Sequence, residues 1–363
     1  MNEKEAYVAF NLTENVGFRT VETLVEGAGG SVVAAWEAYP KKISRTGGEV
    51  DWEGEFTRAR KFGVEIITPA DDEYPSHLRS TPGRPLALYV KGNVAALSQP
   101  SIAMVGTRRA TAYGRDIANQ LSYEIAKAGW SIVSGLATGI DAESHRGALS
   151  AGGVTVGIIG SALDQFFPEE NRELAREMVE KGGAVVSEFP FGRPPDRETF
   201  PIRNHVVAAL ARGVIAVECP SRSGTLITTS IAANLGRTVM AIPGRIDSRA
   251  SAGCLKLIRD GAILIRNVDD VLEAMSELLP AELRKESAQE PAPAQERDSL
   301  QPRYSVEESM VMLHVEPEGV TIDELSRLTK LSVAKVNSVV MTLRVKGFVR
   351  FLPGNRVAPA RNV

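Results

Sequence analysis

The sequence predicts an α/β protein in which an extended Rossmann-like, doubly wound parallel sheet is flanked by a small N-terminal helical domain and a C-terminal winged helix. Three observations lead to this prediction. Continuous apolar runs alternate with helix-length segments from Ser101 to about Leu279. Glycine, serine and threonine follow most of these runs, as is usual where a strand turns into a helix. A polar, proline-containing stretch then precedes a last pattern of three helices and a hairpin.

The composition is that of a folded soluble protein. With 363 residues, 43% of them hydrophobic, the chain is expected to form one large domain and one or two small ones. Its net charge of −3 excludes a uniformly basic surface, so any DNA binding must come from a local patch. No apolar run approaches the roughly 20 residues of a membrane helix, and Met1–Phe10 does not resemble a signal peptide. We therefore expect a cytoplasmic protein without membrane contact.

Residues 1–62 are predicted to form the N-terminal helical domain, similar to SAM or helix-hairpin-helix modules. Glycines break this region into short helices, and Asn15–Arg19 looks like the turn between two of them. Modules of this kind can hold a DNA backbone or simply pack on a neighbouring domain, and the sequence leaves both interpretations open.

Residues 63–280 are predicted to form the extended Rossmann domain. Two short strands, Val64–Thr68 and Leu86–Val90, are expected to extend its sheet. Seven further apolar runs are predicted to be the parallel strands: Ile102–Val105, Ser131–Ser134, Val154–Ile159, Ala184–Ser187, Val214–Val217, Val239–Ile242 and Ile263–Ile265. Because these runs are continuously apolar, helices should cover both faces of the sheet.

Residues 281–303 are expected to be a flexible, solvated linker, because they are rich in Pro, Glu and Gln. Residues 304–363 are predicted to form the winged helix. Its helices are expected at Ser305–Val315, Thr321–Leu328 and Ser332–Lys346, followed by a hairpin. Thr321 and Glu324 have the spacing of a capping box.

The residues after each parallel strand are the candidate binding site, because ligands of doubly wound folds bind at the carboxyl ends of the strands. Glycine there permits close approach, Ser or Thr caps the next helix, and the free N–H groups of the helix attract an anion. The residues that we predict to contact the ligand at these turns are Gly106, Thr107, Arg108, Arg109, Ser134, Gly135, Ser223, Gly224, Thr225 and Arg245. Several such turns at one edge, with arginines among them, predict an anion site.

Two common anion-binding patterns are absent. Gly135 and Gly139 have the spacing G-x-x-x-G, which is not the dinucleotide pattern G-x-G-x-x-G, and no P-loop motif occurs. These absences argue against NAD and ATP, whereas a mononucleotide remains possible.

Four more residues are predicted to contact the ligand, namely Arg193, Arg197, Arg203 and Asn204. Arg203 lies in the first turn of a predicted helix, where the macrodipole disfavours a cation, so its guanidinium should have a ligand or a structural carboxylate. The loop Phe189–Arg197 mixes aromatics with arginines, a combination that single-strand binders use for bases and phosphates. Alternatively, this is a proline-stiffened loop with its aromatic rings tucked in.

No catalytic, metal or cofactor site is expected. Asp141 and His145 are one helical turn apart and could be an acid/base pair, but a structural hydrogen bond is the more common role. Glu188 and Glu218 end strands and could orient arginines. The two cysteines, Cys219 and Cys254, fit no metal or redox spacing and are expected to be small buried hydrophobic residues.

Five motifs resemble those of the DprA (Smf) family of DNA-processing proteins: VGTRRATAYG, SGLATGID, FPIRN, SGTLITT and AIPG, in this order. The resemblance covers nearly the whole chain. It implies an extended Rossmann domain that binds single-stranded DNA, homodimerisation, protection of incoming DNA and loading of RecA recombinase in natural transformation. It assigns Arg108 to the DNA pocket and makes Arg193 and Arg197 plausible further contacts. The family usually has R-N-R where this chain has Arg203-Asn204-His205, and the absence of that guanidinium would weaken or shift a contact.

Two other functions remain as alternatives. One is a nucleotide-binding protein or a phosphoribohydrolase of the LOG type, although the carboxylate that such an enzyme needs after S-G-T is replaced by Thr228. The other is a sequence-specific regulator that reads DNA through the winged helix. The modest charge of that module equally suits weak duplex binding or a protein contact.

Overall fold

The computed structural model of the chain divides into two compact units, Met1–Arg284 and Lys285–Val363. The structure describes residues 1–40, 43–45, 47–276, 305–346, 348–352, 354 and 356–360. The predicted linker, residues 281–303, lies outside these ranges. Within them, no helix is long and apolar enough to cross a membrane.

In the described part of the first unit, a nine-stranded sheet forms the centre. Its strands are β1 (Glu65–Ile67), β2 (Leu88–Gly92), β3 (Ser101–Val105), β4 (Ser131–Ser134), β5 (Thr155–Ile158), β6 (Ala184–Ser187), β7 (Gly213–Ala216), β8 (Thr238–Ala241) and β9 (Ile263–Leu264). Their spatial order is β1-β2-β6-β5-β4-β3-β7-β8-β9. In this spatial order, all neighbouring strands from β6 through β3 to β9 pair in parallel. Strands β1 and β2 add an antiparallel extension beside β6. The predicted strands and the predicted extension are therefore confirmed.

Helices cover both faces of this sheet, as the continuous apolar runs require. The α-helices in the described part of the unit are α1 (Glu3–Leu12), α2 (Phe18–Gly27), α3 (Val32–Ala38), α4 (Trp52–Phe62), α5 (Ser76–Arg79), α6 (Ala112–Lys127), α7 (Ile140–Ser150), α8 (Arg172–Glu180), α9 (Thr199–Leu210), α10 (Gly224–Asn234), α11 (Ala252–Arg259) and α12 (Val268–Met275). Strand β3 shows the two-sided burial: Ile102 and Met104 pack on the α6–α7 side, and Ala103 and Val105 on the α9 side. Both cysteines are free and buried, as expected.

The order of the strands reverses between β3 and β7. The chain runs outward from β3 through β4 and β5 to β6, then returns to the other side of β3 and continues through β7 to β9. The helices that follow β3 and β7 therefore diverge to opposite faces, and a crevice opens between their N-termini. The topology thus creates a crevice at the carboxyl ends of β3 and β7.

The N-terminal helices α1–α4 pack directly on the sheet domain. As predicted, α1 and α2 form a helix–turn–helix, and Asn15 in the turn adopts a left-handed conformation with φ of 56°. The Asn11 amide donates to the backbone oxygen of Glu188 at 3.3 Å. The buried carboxylate of Glu55 accepts a hydrogen bond from the backbone N–H of Phe191 at 2.9 Å. Packing on a neighbour is therefore one role of this module, while DNA contact stays a prediction.

The second unit has the predicted winged-helix elements. They are α13 (Val306–Met312), α14 (Ile322–Thr329) and α15 (Val333–Val345), with the strands β10 (Val320–Thr321), β11 (Val349–Leu352) and β12 (Arg356–Pro359). Thr321 and Glu324 form the predicted capping box. Val336, Val340 and Leu343 of α15 are buried in the small core of this unit.

A buried carboxyl group lies where the N-terminal helices meet the sheet. Glu188 follows β6, and its Oε1 atom is buried without a hydrogen-bond partner among the described residues. Burial raises the pKa of Glu188 to about 7, and the nearby Arg45 acts in the opposite direction. Arg45 itself donates to the carbonyls of Asn11 and Val16, both at 2.9 Å. Glu188 is therefore a titratable group inside a packed junction.

We predict that Glu188 makes folding less favourable as the pH rises. Its pKa in the folded state lies above the ordinary 4.5, so the folded state binds more protons between these values. The contribution of Glu188 to the free energy of unfolding is fully present below about pH 4.5 and is lost as the pH rises towards and above 7. A shift of this size corresponds to about 3 kcal/mol. Urea unfolding across this range should show the Glu188→Gln variant gaining stability relative to wild type as the pH rises; a constant difference between the two would contradict the prediction.

Candidate functional site

An open cavity of about 290 Å³ occupies the crevice between the ends of β3 and β7. We call it the anion cavity. Nine of the residues predicted from the sequence to contact the ligand line it: Gly106, Thr107, Arg108, Gly135, Arg203, Asn204, Ser223, Gly224 and Thr225. Arg222, Asp141 and Thr228 lie in its wall as well. Residues far apart in the sequence thus converge at the point where the strand order reverses.

Backbone contacts between neighbouring loops hold Arg108 at the mouth of this cavity. The Thr107 N–H donates to the carbonyl of Glu218 at 2.8 Å, and the Thr107 carbonyl accepts from Ile140 at 3.3 Å. Gly139 has φ of 81°, and a Cβ there would lie 2.4 Å from the Thr107 oxygen. This close approach requires glycine and places the exposed Arg108 beside the loop that follows β4.

Helix α10 begins at the cavity with the S-G-T turn. Ser223 is its N-cap and accepts a hydrogen bond from the Thr225 N–H at 3.1 Å. The free N–H groups and the dipole of the first helical turn favour a negative charge at this position. This helix end and the guanidinium of Arg108 face the same space, so the cavity suits an anion.

The Arg203 guanidinium forms part of the cavity wall, but it is buried and has structural partners. Its Nη1 donates to the carbonyls of Gly135 and Ile158, the latter at 2.7 Å. A Cβ at position 135 would lie 2.2 Å from Nη1, so glycine is needed there. Burial lowers the pKa of Arg203 to about 10, while Asp141 acts to raise it. The expected structural carboxylate is therefore Asp141, and phosphate binding by Arg203 is at most a secondary role.

Positive charge exceeds negative charge in the cavity wall. Its lining contains three guanidiniums, those of Arg108, Arg203 and Arg222, and one carboxyl group, that of Asp141. Burial raises the pKa of Asp141, and the neighbouring Arg203 opposes this rise. Asp141 and Arg203 are both buried, so the exposed Arg108 and Arg222 are the guanidiniums best placed to attract an anion.

An aromatic cleft of about 160 Å³ opens directly beside the anion cavity. Phe167 and Phe200 line it, and it shares Arg108 and Arg203 with the cavity. The Arg108 guanidinium carbon lies 4.8 Å from the centre of the Phe200 ring. The ring centres of Phe167 and Phe200 are 6.3 Å apart, and Phe167 is 43% exposed. A flat apolar group attached to a phosphate could enter this cleft while the phosphate occupies the cavity.

Five predicted contact residues lie outside the cavity lining, namely Arg109, Ser134, Arg193, Arg197 and Arg245. Ser134 is fully buried, and its hydroxyl donates to the Met104 carbonyl at 2.6 Å, so its predicted contact with the ligand is wrong. Arg193 and Arg245 form ion pairs with Asp196 and Asp247. Arg109 and Arg197 are exposed.

The aromatic rings of the loop Phe189–Arg197 are not available to stack on bases. Phe191 is 8% exposed, stacks on Phe62 with ring centres 5.3 Å apart, and contacts Tyr89 edge-on. Phe189 is buried too. The prediction that these rings face bases is therefore wrong, because the N-terminal helix α4 and the strand β2 pack over the loop. The alternative interpretation, with the aromatics tucked in, is confirmed.

The other titratable residues singled out in the sequence have structural roles. The Asp141 carboxylate accepts from the Ala137 N–H at 3.4 Å, and His145 pairs through Nδ1 with the Thr155 hydroxyl at 2.7 Å. The Glu218 carboxylate accepts from the N–H and hydroxyl of Thr111, at 2.9 and 2.6 Å, and so fixes the start of α6 instead of orienting an arginine. Among the described residues, no cluster could hold a metal ion.

The departure at His205 does not alter the cavity wall. His205 lies beside Gly83, where a Cβ would be 3.1 Å from its Nε2, and it is absent from the cavity lining. The residue that replaces the usual arginine therefore packs on the turn at Pro82-Gly83.

Sequence reasoning missed the aromatic cleft. The motif FPIRN contains Phe200 but indicates only the opening of a helix, and Phe167 belongs to none of the recognised motifs. No local signal distinguishes Phe167 or Phe200 from core aromatics, because the cleft exists only once segments that are distant in the sequence meet.

Comparison with known proteins gives two matches to families. The family described as DNA recombination-mediator protein A matches residues 65–276, and the DprA winged helix domain matches residues 288–355. The Smf protein of Synechocystis is 30% identical over 316 residues, which cover 80% of this chain and 79% of the relative. The DNA processing protein DprA of Bacillus subtilis is 39% identical over 219 residues, which cover 60% of this chain and 73% of the relative.

Solved structures agree with these matches. The crystal structure of DprA from Streptococcus pneumoniae superposes with a TM-score of 0.63 at 31% identity, covering 75% of this chain and 98% of that one. DprA from Helicobacter pylori, described for its mode of binding single-stranded DNA, superposes with a TM-score of 0.53 at 27% identity. It covers 60% of this chain and 98% of its own. The chain therefore belongs to the DprA (Smf) family of DNA-processing proteins.

Proposed function

We propose that this protein binds single-stranded DNA at the carboxyl edge of its sheet and performs no catalysis on it. Phosphates lie in the anion cavity against Arg108, Arg222 and the first turn of α10. An adjoining base enters the aromatic cleft and lies against Phe167 and Phe200. The observation that carries the proposal is that Arg108 belongs to both the cavity and the cleft and lies over the Phe200 ring.

The arrangement favours a single strand over a duplex. Aromatic side chains can stack only on bases whose faces are exposed, and duplex DNA buries these faces in its own stack. A cationic groove beside an aromatic surface is the combination that sequence-independent single-strand binders use. The Helicobacter pylori relative, which by its description binds single-stranded DNA, supports the same ligand.

The cavity offers poor support for hydrolysis of a nucleotide. The position where a LOG-type phosphoribohydrolase needs a carboxylate holds Thr228, whose hydroxyl donates to the Gly224 carbonyl at 3.4 Å. Asp141, the carboxyl group in the cavity wall, faces the guanidinium of Arg203. We therefore propose a binding role for the site.

Two lysines on and beside the third helix of the winged helix are held in ion pairs. On and beside α15, Lys335 pairs with Glu307 at 2.9 Å and Lys346 pairs with Glu308 at 2.7 Å. Both ion pairs reduce the positive charge that a recognition helix would present to phosphates. We propose that this module makes a protein contact or binds duplex DNA weakly.

We further propose that the protein protects incoming single strands as a homodimer and loads RecA onto them in natural transformation. The family description as a recombination mediator supports this role. For the dimer, β9 is an edge strand among the described residues, and its two side chains, Ile263 and Leu264, are exposed. Exposed apolar edge strands readily pair with a second chain.

Charge reversal at Arg108 tests the DNA site. We expect Arg108→Glu to weaken binding of single-stranded DNA by about 10- to 100-fold, since a charge-assisted hydrogen bond contributes about 1.5–3 kcal/mol. The slope of log K against log salt should fall by about 0.7 for each phosphate that the variant no longer neutralises. Fluorescence anisotropy with labelled single and double strands across a salt series measures both. Arg176→Glu, an exposed arginine on α8, serves as the control, and equal affinities of wild type and Arg108→Glu would refute the site.

Two phenylalanines give opposite expected results. Phe200→Ala should weaken single-strand binding, because stacking of one base contributes about 1–3 kcal/mol. Phe191→Ala should leave affinity nearly unchanged and lower the stability, because truncating a buried phenylalanine costs about 3–5 kcal/mol. Anisotropy and urea unfolding on both variants separate the effects. If Phe191→Ala lowers affinity more than Phe200→Ala, bases contact the loop after β6 instead of the cleft.

A charge at the sheet edge tests the dimer and the loading role together. Leu264→Glu should give particles with the mass of one chain, whereas wild type should have twice that mass, because a buried charge opposes pairing of the β9 edges. The variant should also speed RecA assembly on strands coated with single-strand-binding protein less than wild type does. Light scattering and fluorescence of labelled RecA measure the two effects. A monomeric wild type, or one without effect on RecA, would contradict this part.

A further inference from the structure

We propose that Tyr113 and the loop Pro243–Ser251, which we call the isoleucine loop, form a second contact surface for nucleobases. This surface lies across the anion cavity from the aromatic cleft. The inference rests on the proposed function and deepens it. The strand order supports this placement, because apart from Arg108 the cleft is lined by residues that follow β4, β5 and β6, whereas the isoleucine loop follows β8. A strand that crosses the cavity would therefore meet apolar groups on both sides.

Ile246, at the tip of this loop, is 94% exposed. A singly exposed apolar residue is common on protein surfaces, so the exposure by itself decides nothing. The loop, however, is held in place on both sides of Ile246. Arg245 pairs with Asp247, and the Ser248 N–H donates to the Arg245 carbonyl at 3.1 Å. An ordered loop thus presents the branched apolar side chain of Ile246 to water. The protein does not gain the free energy that burial of this side chain would provide.

The base of the isoleucine loop lies next to the wall of the anion cavity. The carbonyl of Ala250 accepts from the Cys219 N–H at 2.8 Å. Cys219 is followed directly by Pro220, which lines the cavity. Ser251 closes the loop against Gly244, where a Cβ would lie 2.1 Å from the Ser251 hydroxyl. The loop is therefore anchored within one residue of the proposed phosphate site.

Tyr113 joins the loop to the start of α6. Its hydroxyl donates to the Pro243 carbonyl at 3.1 Å, while the residue is 49% exposed. Thr111, directly before α6, donates a hydrogen bond to the carboxylate of Glu218. It belongs to the short segment that continues from Arg108. A partly exposed aromatic ring with a tethered hydroxyl is a suitable stacking surface for a base.

The charge of the loop matches a nucleic-acid strand. Arg245 and Arg249 flank Ile246 and are exposed. Arg245 is paired with Asp247, so Arg249 supplies the excess positive charge of the loop. Apolar side chains set among arginines contact or separate bases in many nucleic-acid complexes, with the cations on neighbouring phosphates. A protein partner would use Ile246 as well, but the flanking cations and the adjacent anion cavity favour a strand of DNA.

The experiment compares a labelled thymidylate strand with an abasic strand of equal length, which keeps the phosphates and lacks the bases. We expect Ile246→Ser to weaken thymidylate binding about threefold to tenfold, because the apolar surface that covers a base is removed. Tyr113→Ala should weaken it about fivefold or more, because the stacking ring is removed. Neither variant should change the affinity for the abasic strand. Tyr113→Phe, which keeps the ring, should bind thymidylate nearly as wild type does.

Tyr123→Ala is the matched control. Tyr123 is 39% exposed on the same helix, near its other end, so its removal should leave both affinities unchanged. Unchanged thymidylate binding by both Ile246→Ser and Tyr113→Ala would overturn the inference. Equal reductions of affinity on the two strands would overturn it too, because the effect would then not involve bases. If Ile246→Ser alters only the mass of the particle in light scattering, the loop is a protein contact and the inference is wrong.

Failure of the underlying function gives a different result. In that case wild type binds neither strand, or Arg108→Glu binds both as wild type does. If instead Arg108→Glu weakens binding to both strands and the loop variants change nothing, the DNA site at the anion cavity is supported and the second base-contact surface is refuted.

Discussion

The reversal of strand order between β3 and β7 is the constraint on which the site depends. Two helices that leave a parallel sheet towards opposite faces cannot close over its edge, so a crevice remains between their first turns. In this chain the crevice receives Gly106–Arg108 from one side and Ser223–Thr225 from the other. The sheet thereby supplies backbone N–H groups, a helix dipole and arginines at one place without a dedicated binding domain.

A buried arginine keeps the walls of the crevice in position. Arg203 donates to carbonyls that follow β4 and end β5, and it faces the carboxyl group of Asp141. A charged group without such partners would be costly at this depth, and removing one partner would leave the other uncompensated. Gly135 is required for the same contact, since a Cβ would collide with the guanidinium. The motifs at Ser134–Asp141 and Phe200–Asn204 therefore form one structural unit, on which Arg108 and the aromatic cleft are placed.

The N-terminal module changes the role of a loop that belongs to the central domain. Glu55 binds the backbone of Phe191, and Phe62 stacks on its ring. These contacts bury the aromatics that the sequence associates with bases, whereas Phe167, Phe200 and Tyr113 stay partly exposed beside the cavity. The same junction contains Glu188, whose raised pKa couples the packing of the module to pH.

The sequence by itself determined the nine strands of the sheet, the doubly wound class and most of the residues that line the cavity between β3 and β7. Continuous apolar runs and the residues that follow them depend only on local order, and the carboxyl ends of parallel strands always share one edge. Whether an aromatic or polar side chain is exposed or buried depended on contacts between distant segments. Ser134 turned inward to Met104, Phe191 was covered by α4, and Phe167 met Phe200 across a cleft. Only the tertiary structure decided these orientations. The burial of a side chain depends on the neighbours that packing brings to it, and the local sequence does not encode those neighbours.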